Sequence, residues 1–495
     1  MRKPDELHAR DREWDALVDF ATNPSAGATL GLLYGRRRQG KTLMLELLAE
    51  ATGGFMFTAR EQPDRQNLRE LSTAYAHHAG LPASLAFDSW QDVIGALLDL
   101  GSGVSEPVPV IIDEFPNLIA QAPALPSVIQ IALSPRSHAS RHTHTRLILC
   151  GSAMTVMRDL LGGGAPLRGR ATLELVLQPF WYREAASFWE LTDDPELAFR
   201  VHALLGGTPA YRAMALEPPS SRESFDRWVT QRLLNPASAI FREGSLLLRE
   251  ESSVTDTAPY HGVLAAIATG AARRSEIAGR IGRPATAIAH LLAGLQQVGL
   301  IARFEDAFRE RRGMYRLTDP LIRLHELVIG PNERLLVRGR ATQVWTTNAD
   351  TVASKIYGPH LEDLAREWCL SHASSATLGG TAHDVLPATV ACREHRQGHE
   401  IDVVVVETSA GTRRRVVAIG EVKSTERPVD AAEIARLDHL RDLLPDSQVS
   451  PDSQVWEPPR LLVFSRAGFA SDARRVAASR QDVELVDLER LYQSD

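Results

Sequence analysis

Hydrophobic positions fall first at helical spacing. Within residues 4–21, Trp14, Leu17 and Phe20 recur every third position and predict an amphipathic helix. An unbroken apolar run at 28–34 then reads as a strand buried on both faces, and after a polar loop residues 43–49 return to a helical pattern. Short apolar runs at 54–58, 108–112, 147–150 and 172–177 predict four further strands, with helices expected at 63–80, 89–100 and 125–133. Strands alternating with helices predict a parallel sheet covered on both faces.

From 260 to 318 the pattern becomes three short helices and a hairpin. The helices are expected at 263–268, at 275–281 with Ser275 as N-cap, and from the Gly282-Arg283-Pro284 turn to Gly299; strands at 300–304 and 314–317 flank a charged tip. Residues 320–351 are mixed and helical and read as a connector. Alternation of helix and strand resumes from 352, with apolar runs at 385–391, 401–407, 415–422, 461–465 and 483–487 and helices near 430–443 and 471–480.

The loop between the first strand and its helix supplies a phosphate cradle in order: Gly35, Arg36, Arg37, Arg38, Gln39, Gly40, Lys41, Thr42. Gly35 and Gly40 allow the tight turn that points successive N–H groups inward, and the helix N-terminus adds partial positive charge. Lys41 is expected to reach the β- and γ-phosphates of ATP, and Thr42 to offer its hydroxyl to Mg²⁺. The run at 108–112 ends in Asp113-Glu114, at the carboxyl end of a buried strand where open α/β sheets bind ligands. Asp113 is expected to hold Mg²⁺ and Glu114 to orient and deprotonate the attacking water; capping of the next helix is the alternative for the pair.

Ser152 follows the strand at 147–150. It can touch the γ-phosphate or the attacking water, or serve as an N-cap. In the basic, glycine-rich stretch 162–170, Arg170, and after it Arg168, is the candidate for neutralising transition-state charge, within one chain or across an interface between copies. His138, His142 and His144 lie in a connector without a carboxylate or cysteine, so they are set aside as metal ligands.

At 495 residues the chain is expected to form roughly three domains. No apolar stretch approaches the length of a membrane helix and the first twelve residues are too charged for a secretory signal, so a cytoplasmic protein without membrane contact is expected. Cys150, Cys369 and Cys392 lack metal-ligand spacing among themselves and are expected in the core. A net charge of −7 argues against indiscriminate nucleic-acid binding. Residues 260–318 nevertheless carry nine arginines against four acidic residues, so nucleic acid, DNA in preference to RNA, would be met there. Arg309, Arg311 and Arg312 are the candidates for backbone contact, Thr286, His290, Gln296 and Gln297 the main polar residues of the third helix, and domain packing is the alternative role.

The phosphate loop, Asp113-Glu114, the LILCGS run at 147–152, the Gly-Arg pair before LQPF, and Gly206-Gly207-Thr208-Pro209-Ala210-Tyr211 together resemble the archaeal-type ATPase family, close to AAA+ and STAND NTPases. Arg12-Glu13 followed by Leu17 is similar to the box that lies against the adenine side in such proteins. The resemblance implies sheet order 5-1-4-3-2 and a helical lid.

In the last third, Asp402 lies on one predicted strand, and Glu421 and Lys423 project to the same face of its hairpin partner. This D…ExK arrangement resembles the PD-(D/E)XK nuclease superfamily, with Ile401 standing where the superfamily has proline. By that resemblance Asp402 and Glu421 would bind Mg²⁺ or Mn²⁺, Lys423 would position or activate water, and Glu362 would assist from the preceding helix.

The fold class expected is α/β: an AAA-like P-loop core at 1–180, a helical lid at 181–255, a winged helix-turn-helix at 256–320, a connector at 321–351 and a restriction-endonuclease-like domain at 352–495. Two functions stay open. One is an ATPase coupled to nucleic acid with metal-dependent nuclease capability; the other is a STAND-like switch that binds DNA or protein without cleaving.

Overall fold

A computed structural model describes residues 1–82, 84–249, 256–392, 394–409, 413–444, 458–493 and 495, without the side chains of 310–312, 409 and 413. The expected boundary between lid and third module, at 255/256, abuts residues outside the described set.

The first sheet comprises β1 (Thr29–Tyr34), β2 (Phe55–Thr58), β3 (Val108–Asp113), β4 (Thr145–Gly151) and β5 (Ala171–Val176). All neighbours are parallel, in the order β5-β1-β4-β3-β2, as the resemblance implied. Because side chains alternate along a strand, β1 feeds two cores: Leu30, Leu32 and Tyr34 pack under the helices Asp64–His78 and Trp90–Asp99, whereas Leu33 joins Trp14, Leu17, Met44 and Leu48 on the other face. The phosphate loop therefore emerges from the middle of a sheet buried on both sides.

Helices at Tyr182–Phe188, Pro195–Leu205, Ala210–Ala215 and Ala239–Leu246 follow, over the residues where a lid was expected. The third module has helices Ala258–Ala268, Arg274–Ile281 and Ala289–Gln297 and the antiparallel pair β6 (Ile301–Asp306) and β7 (Arg309–Leu317). Ser275 is not the N-cap. The Glu276 carboxylate accepts the backbone N–H groups of Ala272 and Arg273 at 3.0 Å each, and the N-cap is Arg273, two residues earlier.

Residues 321–351 are more than a connector. Helices Pro320–Leu324, Gly330–Val337 and Ala341–Thr347 share one continuous apolar core with the lid, the three-helix module and part of the last domain.

The last domain is a mixed sheet in the order β8 (Asp384–Cys392), β9 (Gln397–Ser409), β10 (Arg413–Lys423), β11 (Arg460–Ser465), β12 (Val483–Asp487). β8, β9 and β10 are antiparallel, and β10, β11 and β12 parallel. Val403 and Val405 face the helix Gly358–Ser371, and Val404 and Val406 face the helix Ala431–Asp442. The β6–β7 tip is docked on this sheet: Ala307 donates its N–H to Pro387 O at 3.0 Å, Asp306 accepts from Thr389 N at 3.1 Å, and Ala307 joins the domain's core. The hairpin expected to touch a nucleic-acid backbone through Arg309 is thus a strut between domains; the Arg311 and Arg312 side chains lie outside the described residues.

Candidate functional site

Gly35 lies so close to the chain leaving β5 that a Cβ would sit 2.4 Å from Leu177 O, and Gly40 has φ of +87° with open space where a Cβ would be. Both are positions that only glycine meets without strain. The loop opens onto a cleft of about 710 Å³ bordered by Arg37, Gly40, Lys41, Thr42, Glu114 and Asn117. Lys41 is buried and donates to Gly35 O at 2.8 Å and Arg36 O at 2.9 Å. Burial pushes its ammonium below the usual lysine range, against the opposing charges of Glu114 and Asp113.

Thr42 Oγ1 donates to Asp113 Oδ2 at 2.8 Å, joining loop to strand end. Asp113 is buried and also accepts the N–H of Glu114 at 2.9 Å. Glu114, with φ of 50°, begins the helix Phe115–Gln121 without a side-chain cap bond, so capping does not explain it. Its carboxylate instead accepts from Ser152 Oγ, 3.0 Å from each oxygen. Nor does Ser152 cap the helix Met154–Asp159, whose N-cap is Ala153. Beneath them, the fully buried Cys150 thiol is raised well above its usual range by burial and by the Asp113 charge.

Arg170 is not at this site in its own chain. It precedes Ala171, which pairs with Leu30 at the opposite end of β1, so roughly 16 Å of strand lies between it and the loop. Arg168 lies in the same turn and donates to Gly163 O at 2.5 Å.

The loop's outer residues instead join other parts of the chain. Arg36 pairs with Asp319 at 2.6 Å, Arg38 with the buried Glu243 of the lid, and Gln39 Nε2 donates to Thr208 Oγ1 at 3.1 Å. The N-terminal box is used differently from the expectation. Arg12 is exposed, and it is Arg10, paired to Glu13, that donates to Gln178 O at 2.6 Å and lies 4.6 Å from the Phe180 ring centre. Pattern did not single out Arg10, Asp319 or Glu243, because the contacts that tie them to the loop region, with Gln178, Arg36 and Arg38, are distant in sequence.

No family model matches the chain. An uncharacterised protein of Methanocaldococcus jannaschii is 25% identical over 312 residues, which are 62% of this chain and 66% of that one. A Walker-type ATPase of Pyrococcus abyssi superposes with a TM-score of 0.51 at 20% identity, covering 66% of this chain and 97% of its own. An ORC2 protein of Aeropyrum pernix gives a TM-score of 0.41 at 17% identity, too remote to argue from. The chain therefore has the parallel-sheet P-loop ATPase fold.

In the last domain, Asp402 on the interior strand β9 lies near Glu362 of the helix Gly358–Ser371 and near Glu421 of the central strand β10, which also carries Lys423. Asp402 Oδ2 accepts the N–H of Val422 at 2.8 Å, and Arg366 Nη1 donates to Asp402 O at 2.8 Å. Burial, then the Glu362 and Glu421 charges, push the Asp402 carboxyl up to about 7. Glu362 is raised as well, by desolvation first and then by Asp363, although about 36% of its side chain is exposed.

Glu421 is held elsewhere: Oε1 accepts from Lys423 Nζ at 2.9 Å and from Arg436, and the oxygens of the three carboxylates do not all come within 4.8 Å of one another. Its Oε2 is nevertheless buried and unpartnered. Burial alone would lower the Lys423 ammonium, but Glu421 and then Glu433 outweigh it and raise it, so it is held as a cation.

Cys392 is buried as expected, yet the spacing argument counted only cysteines. Its Sγ faces His395, His399 and His439, brought together by the β8–β9 turn and the helix Ala431–Asp442. The signal available was Cys392-x2-His395-x3-His399. His138 and His142 merely pack, ring centres 4.9 Å apart. Among the described residues no helix is long and apolar enough to cross a membrane.

Proposed function

We propose that this chain binds and hydrolyses ATP at the β1 loop and uses nucleotide occupancy to regulate contact with nucleic acid, DNA in preference to RNA. The observation that carries the reading is the pairing of Thr42 with Asp113 at 2.8 Å beside a Glu114 held by Ser152. Gly35 to Gly40 present backbone N–H groups to the phosphates, Lys41 turns from the loop carbonyls to the β- and γ-phosphates, and Glu114 orients the attacking water. Thr42 and Asp113 would hold Mg²⁺, which when bound neutralises charge on the phosphate oxygens. Arg170 is left to act on a neighbouring copy.

The three helices and hairpin at 256–320 support a winged helix-turn-helix. Thr286, His290 and Gln297 are exposed on or beside its third helix, so contact would run through that face rather than the docked hairpin. The last domain, with one helix before three antiparallel strands and a parallel fourth, supports a PD-(D/E)XK-type nuclease. The unpartnered Glu421 Oε2 and the raised Asp402 carboxyl suit a divalent cation, with Glu362 adjoining. That cation would activate water and stabilise the leaving oxygen, and Lys423 would orient the water.

The second reading, a nucleotide switch that binds without cleaving, is favoured by the capture of Glu421 by Lys423 and Arg436. Cleavage of single-stranded, double-stranded and branched DNA with Mg²⁺ or Mn²⁺, with and without ATP, separates the two. Products that need Asp402 support the nuclease; ATP turnover without products supports the switch.

A further inference from the structure

We propose that Cys392, His395, His399 and His439 form a tetrahedral zinc site that fastens the β8–β9 turn to the helix Ala431–Asp442. Their ligand atoms all lie within 4.8 Å of one another. Cys392 Sγ is 3.3 Å from His395 Nδ1 and 3.6 Å from His439 Nε2, and His395 Nδ1 is 3.1 Å from His399 Nε2. Zinc bonds of about 2.3 Å to sulfur and about 2.0–2.1 Å to nitrogen, at tetrahedral angles, set sulfur and nitrogen about 3.5 Å apart and two nitrogens about 3.3 Å apart. Three of the six ligand pairs lie close to those spacings, and the other three are within 4.8 Å.

Hydrogen bonds do not account for it. His395 Nδ1 faces both Cys392 Sγ and His399 Nε2, but one ring nitrogen offers either a proton or a lone pair and cannot serve both neighbours fully. A single cation among the four satisfies all of them. The rings also stand nearly perpendicular, at 89°, 78° and 83° for the three histidine pairs, as imidazoles radiating from one centre do. The backbone N–H of His395 points at Cys392 Sγ at 3.4 Å, a contact that supports a thiolate.

One thiolate and three imidazoles suit zinc rather than Mg²⁺ or Ca²⁺, which take oxygen donors. Four protein donors close the coordination shell, so the metal holds structure and leaves no position for substrate. What it holds is specific. His439 lies one turn after Arg436, which reaches Glu421, and after Glu433, whose carboxylate is 3.3 Å from Lys423 Nζ. The metal thus anchors the helix whose Glu433 and Arg436 engage Lys423 and Glu421, whether or not those residues take part in cleavage.

The test is the metal content of the untagged full-length chain, purified from zinc-supplemented cells and dialysed against a weak chelator, together with cobalt(II) reconstitution. One zinc per chain is expected in the wild type and in Asp402→Ala, falling to buffer background in Cys392→Ser and His439→Ala. Cobalt should give tetrahedral ligand-field bands and a thiolate charge-transfer band, the latter lost in Cys392→Ser. A wild type that keeps no zinc and shows no such bands overturns the site, as does zinc kept equally by Cys392→Ser, His399→Ala and His439→Ala. If the variants fail to fold, the cobalt spectrum of the wild type alone decides.

Discussion

Arg36, in the phosphate loop, meets Asp319 at 2.6 Å although 283 positions separate them, and their side chains are only 11% and 3% exposed. Asp319 also caps the helix Pro320–Leu324, its Oδ1 accepting from Leu321 N at 2.9 Å and Ile322 N at 3.3 Å. The loop is therefore tied to the helices that carry the rest of the chain, a route by which phosphate contact could reach them. Asp319→Ala should cost about 3–5 kcal/mol, the usual penalty for leaving one charge of a buried pair uncompensated. Asp319→Asn, which keeps an acceptor for the cap, should cost less. Equal losses in urea denaturation would locate the whole effect in the ion pair and leave the cap none of it.

Lys41→Ala should lower ATP turnover by about 10²–10³-fold, the range found when one preorganised charge donor is removed. Glu114→Gln should lower turnover while nucleotide binding is retained, because Glu114 bears on water and not on the cradle. Parallel measurements of binding by calorimetry and of phosphate release check the split; loss of both in Glu114→Gln would contradict its assignment.

The raised Asp402 carboxyl makes the metal-free chain pH-sensitive. Between its ordinary 3.8 and about 7 the folded chain binds a proton that the unfolded chain does not. Stability from this group is therefore full below about 3.8 and lost as pH rises through about 7. Asp402→Asn, of similar shape and never charged, should flatten that decline and be more stable than the wild type at pH 8. Identical denaturation midpoints across the range would refute the shift.

Arg170→Ala should leave the ATP turnover of the dilute chain unchanged, since Arg170 sits at the amino end of β5, away from its own loop. An activity that rises with protein concentration in the wild type but not in Arg170→Ala would identify it as a residue acting between copies. A drop at every dilution would place it in its own site after all.

Local chemistry made half of this protein legible. Strand, glycine-rich loop and helix at 29–52, the Asp113-Glu114 strand end, and the same-face placement of Glu421 and Lys423 each depend on neighbours within a few residues, so pattern suffices. Other features depend on closure between distant segments. Arg170 could serve its own loop or a neighbouring copy until the parallel pairing of β5 with β1 put it at the far end from its own loop. The basic hairpin looked free until Ala307 entered the last domain's core. Cys392 had no cysteine partner in sequence, and only the approach of His439 from a helix 40 residues on from His399 completed its ring of donors. Sequence by itself determined which short stretches could bind phosphate or carry charge. Tertiary structure alone decided which of them meet, because packing of buried faces, not residue type, sets the distances between segments far apart in the chain.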